Sequence, residues 1–284
     1  MVVEVRHVNR WELGAALRAL RDASGKEAKA VARGAVMSAS KLSKIETGKL
    51  SPSADDVGRI LTAIGVSDDV KAAYMDAARA VATEATAWRL IQRAGLHKAQ
   101  LQLKAIDART SNLRVFQPAL VPGLLQTPEY MRAVLSRHQD LSEATVRETV
   151  SARLERQDAL YEAHKTLRFV VTEPVLRWLI VPPMVMAGQL DRLISVSRLP
   201  HLDLRVVSLA QRQYDIPNHA FVVRDDRVVA VETVHAEVIV TDPRDVALYV
   251  AKFDGFASHA LAGDEMRDLV TGVRDELLRQ RESP

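Results

Sequence analysis

The sequence contains no cysteine at all. No disulfide framework is therefore possible, and thiol nucleophiles and thiolate zinc sites are excluded with it. There is also no run of about 18 apolar residues of the kind a membrane-spanning helix needs. The opening segment MVVEVRHVNRWE lacks the basic flank, long apolar stretch and small-residue cleavage site of a signal peptide. A cytoplasmic protein with no membrane partner is expected. Enzyme signatures are missing too: the eight histidines are scattered, and no His-Glu-x-x-His, Gly-x-Ser-x-Gly, Gly-x-Gly-x-x-Gly or phosphate-loop pattern occurs. The expectation is a protein that is not an enzyme, with no cofactor and no metal.

What is present is a globular mixture of 48% apolar and 26% charged residues over 284 positions, enough for two domains with cores of their own. The net charge of +3 is unevenly spread. Residues 1–66 hold 11 Lys/Arg against 7 Asp/Glu, and the remainder holds 28 against 29. A positive excess confined to one end is the electrostatic footprint of a segment that faces phosphates.

That segment reads as short helices. Leu13, Ala16, Leu17 and Leu20 recur at helical spacing, and Glu27 to Arg33 forms a second helix contributing Ala28, Val31 and Ala32 to a core. After the break at Gly34, Ser38 caps a third helix that runs to Glu46 and stops at Gly48, with Leu42 and Ile45 pointing inward. Ser53 and Asp56 form a capping box for a fourth helix carrying Val57, Ile60, Leu61 and Ile64, closed by Gly65. A breaker between the second and third helices lets the third protrude into a major groove. A helical protein-interaction module with merely solvated basic residues is the alternative.

The ordered string Leu13-Gly-x-x-Leu17-Arg-x-Leu20-Arg, then Ser38-x-Ser-Lys-Leu-Ser-Lys-Ile-Glu-x-Gly48, then Pro52, resembles the lambda-repressor-like, Xre type of DNA-binding domain. The resemblance implies a helix-turn-helix that binds double-stranded DNA. It places Ala39, Ser40 and Lys41 at base edges, Lys44 one turn later, and Ser38 and Lys49 on phosphates; Glu46 is read as structural. Two departures stand out. Glu27-Ala28 replaces the usual Thr-Gln, removing a common contact to DNA. Val36 replaces the usual turn glycine and is expected to take a different turn conformation.

Residues 67–112 read as helix throughout, a connector whose apolar stripe serves either core packing or pairing of two subunits. From residue 113 the pattern turns mixed. Strands are expected near Leu113–Phe116, Leu167–Thr172, Leu202–Leu209, Phe221–Val223, Val228–Val231 and Val238–Val240, with a tight turn at Asp225-Asp226. The fold class is therefore an all-α N-terminal helix-turn-helix domain (1–66), a helical connector (67–112) and a larger α+β domain (113–284).

Leu120-Val-Pro-Gly-Leu-Leu-Gln-Thr-Pro-Glu-Tyr130, Arg153-Leu-Glu-Arg-Gln157, Gln189-Leu-x-x-Leu193, Val231-Glu232 and Phe253-Asp-x-Phe256 resemble, in order, a domain of formerly unknown function that follows a helix-turn-helix in actinobacterial regulators. Pro182-Pro183 and Ser208-Leu209 depart from it. The resemblance implies an antitoxin-like, WhiJ-like regulator, a homodimer, with a small partner protein encoded nearby. Gln126, Tyr130, Arg153, Arg156 and Glu232 are the candidate ligand or partner site. Each has a plainer reading: Gln126 and Tyr130 can simply lock a turn, and Arg153 and Arg156 can form ion pairs within the domain. Glu173, Glu232 and His235 are a set able to converge in a cleft, which would suit an autoregulated toxin-type effector enzyme. A docking surface for the small partner alone is a third reading.

Overall fold

In a computed structural model of the chain, residues 10–87, 96–137, 141–233 and 236–279 are described. The described residues up to Ala85, with Val238–Val246, form one compact unit, and those from Thr86 to Glu237 and from Ala247 onward form a second.

The first unit holds helices α1 (Arg10–Ala23), α2 (Ala28–Gly34), α3 (Ala39–Glu46), α4 (Ala54–Ile64) and α5 (Asp68–Ala82). Its core gathers Leu13 and Leu17 from α1, Val31 and Ala32 from α2, Leu42 and Ile45 from α3, and Val57, Ile60 and Leu61 from α4. Fully burying each leucine or isoleucine contributes roughly 1.5–3 kcal/mol, so the periodic apolar faces account for the packing. The unit runs past Val66: Ala77 and Ala78 of α5 are buried in the same core, with Tyr74 and Met75 against it. α1 and α3 approach so closely that a Cβ at Gly14 would stand 2.3 Å from the Ile45 carbonyl oxygen.

The expected helix across 67–112 is interrupted. Thr83–Ala87 is a strand, β1, and the next helix among the described residues is α6 (Leu96–Arg109). Thr83 and Thr86 bring β-branched side chains into an otherwise alanine-rich run, which weakens the helix there.

The second unit is built on a mixed sheet. Strands β2 (Asn112–Gln117), β3 (Thr166–Thr172) and β4 (Leu202–Val207) are parallel neighbours, with Leu113 beside Leu167 and Leu167 beside Leu202. β5 (Phe221–Arg224) runs antiparallel to β2, and β6 (Val228–Glu232) antiparallel to β5. The β5–β6 turn is the expected one: Asp225 and Asp226 both take φ of 51°, as a type I′ hairpin turn requires. Thr233 N–H donates to the Ala236 carbonyl at 2.8 Å, and β7 (Ala236–Val240) follows.

Between β2 and β3 lie α7 (Pro128–Leu135) and α8 (Glu143–Arg156), and between β3 and β4 lie α9 (Pro174–Arg177) and α10 (Pro183–Val196). α11 (Pro243–His259) and α12 (Gly263–Arg279) close the chain. One sheet face packs Val115, Phe169 and Leu204 against Leu190 and Leu193 of α10 and Val270 and Val273 of α12. On the other face Phe116 stacks on Phe256 of α11 at 4.3 Å between ring centroids.

Candidate nucleic-acid interface and the polar cluster of the second unit

α3 begins where Ser38, in extended conformation, accepts a hydrogen bond from Lys41 N–H through its side chain. It ends at Thr47 and at Gly48, where φ is +66° and a Cβ would come within 2.5 Å of the Trp11 ring. Leu42 and Ile45 are fully buried, so the opposite side of the helix is turned outward. Ser38, Ala39, Ser40, Lys44 and Lys49 all lie on the exposed side, as expected. Lys44 and Lys49 make no ion pair among the described residues. Ser43 and Thr47 share this exposed face and were missed; helical spacing from Ala39 and Ser40 is the signal that points to them.

Lys41 behaves differently from its neighbours. Its ammonium donates to Asp56 Oδ1 at 2.8 Å, and Arg59 donates to the same oxygen at 2.6 Å. Burial raises the cost of ionising Asp56, but the Lys41 and Arg59 hydrogen bonds outweigh it and hold the carboxyl below the usual aspartate range. A base contact by Lys41 thus requires it to leave this partner. Glu46 is structural: Arg21 binds it with Nε at 2.7 Å and Nη2 at 3.0 Å, clamping α1 to α3.

The turn before α3 corrects one expectation. Val36 takes φ of +54°, the left-handed conformation a glycine would adopt there, rather than a different turn. The chain connecting two packed helices dictates the turn, and the side chain accepts the strain with its isopropyl group 80% exposed. Glu27 makes no side-chain capping bond to α2, so the replacement of Thr-Gln leaves that helix start without one.

In the second unit the Val121–Tyr130 string is folded around the backbone of a single residue, Val121. Val121 N–H donates to the Tyr130 hydroxyl oxygen at 3.4 Å, and the Val121 carbonyl accepts from Gln126 Nε2 at 2.7 Å. Burial pushes the Tyr130 phenol upward, the Val121 bond partly offsetting it. Two further buried glutamines hold the same string. Gln157 Nε2 donates to the Gln126 carbonyl at 2.7 Å, and Gln189 donates to the Leu125 carbonyl while accepting from Thr127 N–H. Gln126 and Tyr130 therefore lock the turn.

Arg156 is engaged through all three of its nitrogens. Its Nε and Nη2 donate to Asp107 Oδ2 at 3.1 and 2.7 Å, and its Nη1 donates to Gln100 Oε1 at 2.7 Å. Arg224 Nε lies 3.5 Å from the other oxygen of Asp107. Beside this network the buried Lys165 ammonium, missed by sequence reasoning, donates to the carbonyls of Asp107 and Thr110 at 2.9 and 2.8 Å, closing the C-terminus of α6.

Arg153 has no such partner. Among the described residues its one hydrogen bond is a long 3.5 Å contact to Gln126 Oε1. Burial, and then the neighbouring Arg156, push its guanidinium below its usual range, with Glu232 acting the other way. Glu232 lies beside Glu237 on the next strand, because Thr233 pairs with Ala236. Burial, and then Glu232, hold the Glu237 carboxyl above its usual range, with Arg224 opposing them. Four of the five candidate residues thus interact pairwise: Gln126 with Tyr130 through Val121, Gln126 with Arg153, and Arg153 with Glu232 at longer range. Arg156 is engaged elsewhere.

Of the cleft set Glu173, Glu232 and His235, Glu173 is engaged by partners of its own. Glu173 accepts from Arg177 Nε at 2.9 Å, from Ser208 at 3.1 Å and from Leu209 N–H at 2.9 Å. Burial raises its carboxyl, but these bonds outweigh burial and hold it below the usual range. His235 lies outside the described residues. Among the described residues no group of three or more His, Asp or Glu is placed to hold a metal ion, and no helix is long and apolar enough to cross a membrane.

A helical unit that holds one short helix by its buried side and offers the other to solvent belongs to the helix-turn-helix class of DNA-binding regulator domains. Residues 12–74 match the family described as Helix-turn-helix domain. The chain as a whole belongs to the family described as Domain of unknown function (DUF5753), which matches residues 100–272. No functionally curated protein matches the chain.

Solved structures that match include TrmBL2, an archaeal chromatin protein with a novel mode of DNA binding, at 14% identity, 64% of this chain, 55% of that one and a TM-score of 0.32. They also include Nuc, a phospholipase D family member from Salmonella typhimurium, at 10% identity, 64% and 98% coverage and 0.36. A third is phosphatidylserine synthase of Haemophilus influenzae Rd KW20, at 13% identity, 65% and 42% coverage and 0.33. The chain spans about half the length of the first and less than half of the third. Likenesses at these TM-scores carry no argument about this chain's activity.

Proposed function

We propose that the protein is a sequence-specific, dimeric transcriptional regulator whose first unit binds an operator and whose second unit adjusts that binding in response to a small ligand or a small partner protein. The observation that carries the reading is the exposed face of α3. Ala39, Ser40 and Ser43 offer small and hydroxyl groups to base edges, and Lys44 and Lys49 bring cations that no carboxylate neutralises among the described residues. Ser38 and Lys49 suit phosphates and fix register, and Lys41 reads a base only by exchanging Asp56 for it. A dimer presents two such helices to half-sites about 34 Å apart, one turn of duplex.

The second unit acts by binding rather than catalysis in this reading, which is supported by Glu173, one of the two carboxylates of the cleft set, being occupied by Arg177, Ser208 and Leu209. Selection of random duplexes by the full chain tests the proposal. Recovery of a two-fold symmetric motif supports it, and recovery of no motif at moderate salt overturns it.

A further inference from the structure

Most charged groups buried in the second unit are neutralised where they stand. Asp107 takes Arg156 and Arg224, Lys165 takes helix-end carbonyls and Glu162 at 3.3 Å, and Glu173 takes Arg177. The half-buried Arg153 and Glu237 are not paired in this way among the described residues, and of the two Arg153 is the cation. It projects from α8 onto Gln126, which is 4% exposed and whose amide is pinned by the Val121 carbonyl, and whose backbone carbonyl is in turn held by Gln157. The guanidinium therefore rests on a rigid polar floor. Among the described residues no carboxylate lies within 4.0 Å of it, although Arg156, three residues on, has a bidentate partner.

The groups that face Arg153 are Arg156 on its own helix and Glu232 on β6. Glu232 is exposed and makes no ion pair among the described residues. A guanidinium offers paired N–H donors in a plane that matches two oxygens of a carboxylate or phosphate. Half-buried and without a carboxylate within 4.0 Å among the described residues, it stands to gain from an arriving oxyanion.

We propose that Arg153, seated on Gln126 and bordered by Glu232, is the anchor of an anion-binding site in the second unit for a small ligand bearing a carboxylate or a phosphate. The proposal rests on the reading of that unit as a sensor and names the chemistry it senses. Glu232 limits affinity for bare anions by repulsion, and it selects ligands that carry a hydrogen-bond donor beside the anionic group.

The test uses the full chain labelled with nitrogen-15 arginine, the Arg153 Nε resonance being assigned from Arg153→Lys. Acetate and inorganic phosphate are titrated separately against chloride at equal ionic strength. The expected result is a saturable shift of the Arg153 resonance with at least one of the two, and the arm that saturates at lower concentration names the anion class. In Glu232→Gln the midpoint falls by about threefold, the size of one exposed charge interaction. The Arg153→Lys chain, with its point charge in place of the planar fork, keeps its fold and loses saturable anion binding, followed by its thermal midpoint.

Absence of any shift with both anions, or an equal shift with chloride, overturns the proposal. An adventitious surface effect would persist in Arg153→Lys and would overturn it as well. Operator binding is measured on the same samples without added anion. Loss of DNA binding with the Arg153 shift intact refutes the regulator reading alone, and intact DNA binding with no shift refutes the anion site alone.

Discussion

Both units close the end of a helix with a lysine ammonium, in opposite surroundings. In the first, Lys26 donates to the carbonyls of Ala63 and Ile64 at 2.8 and 2.9 Å from an exposed position. In the second, Lys165 makes the equivalent bonds at the end of α6 while only 3% exposed. The donor and acceptors are the same. Water stands ready to replace Lys26 and is excluded from Lys165, so the contribution of each bond follows its surroundings. The rule extends to the unneutralised cations: Lys44 of α3 sits in water, where counter-ions are exchanged for phosphates, and Arg153 is half-buried against Gln126.

The sharpest way to break this contrast is to remove both ammonium groups in turn. Lys165→Met leaves buried carbonyls without donors and is expected to cost about 3 kcal/mol in a denaturant titration, whereas Lys26→Met costs about 0.5 kcal/mol. Equal losses would defeat it.

Next in size is Asp56, whose carboxylate ties α3 to α4 through Lys41 and, within α4, accepts from Arg59 and from the Ser53 N–H. Asp56→Ala removes the return bond of the capping box and leaves Lys41 without its partner, Arg59 keeping Asp55 at 3.4 Å, at about 2 kcal/mol. Its folded carboxyl is held below the unfolded range, so its contribution is complete above the ordinary aspartate range and is lost as pH falls through the folded value. Asp56→Asn should flatten that acid limb in thermal melts taken as a function of pH; an unchanged limb would show the Lys41 pair to be idle.

Val36→Gly should stabilise the first unit by about 0.5–1 kcal/mol, because release of a left-handed β-branched residue exceeds the added freedom of glycine in the unfolded chain. A lower melting midpoint would mean that the exposed isopropyl group packs on something.

The smallest effect lies in the second unit and has the opposite sign to Asp56. Glu237 is held above its usual range, so above that range it opposes folding, and the opposition is relieved as pH falls. Glu237→Gln is expected to raise stability near neutral pH by about 0.5 kcal/mol, the scale of a like-charge cross-strand pair. A loss would show that the carboxylate has a favourable partner.

Features encoded over a few residues were legible in the sequence. The Ser38 cap, the Ser53–Asp56 box, the inward Leu42 and Ile45 and the Asp225-Asp226 turn all follow from local spacing, and each forms as expected. Bonds that span distance were not. Nothing local says that Lys41 meets Asp56, or that Gln157 and Gln189 reach back to the main chain of residues 125–127. The Val121–Tyr130 string was recognisable as a pattern, but its chemistry depends on partners about 30 and 60 residues downstream. The strand at Thr83–Ala87 was hidden because helix propensity alone speaks for the alanine-rich run around it. Of the candidate ligand residues, the sequence singled out Arg153 and Arg156 together. Only the fold separates the one that Asp107 neutralises from the one it does not.

The most direct test of the account is the salt dependence of operator binding by the full chain and by Lys44→Ala and Lys41→Ala, followed by fluorescence anisotropy. If the exposed face of α3 meets the DNA, Lys44→Ala weakens binding and lowers the slope of log affinity against log salt by about 1, while Lys41→Ala changes the slope by less. An unchanged slope in Lys44→Ala together with a full loss in Lys41→Ala would contradict the assignment.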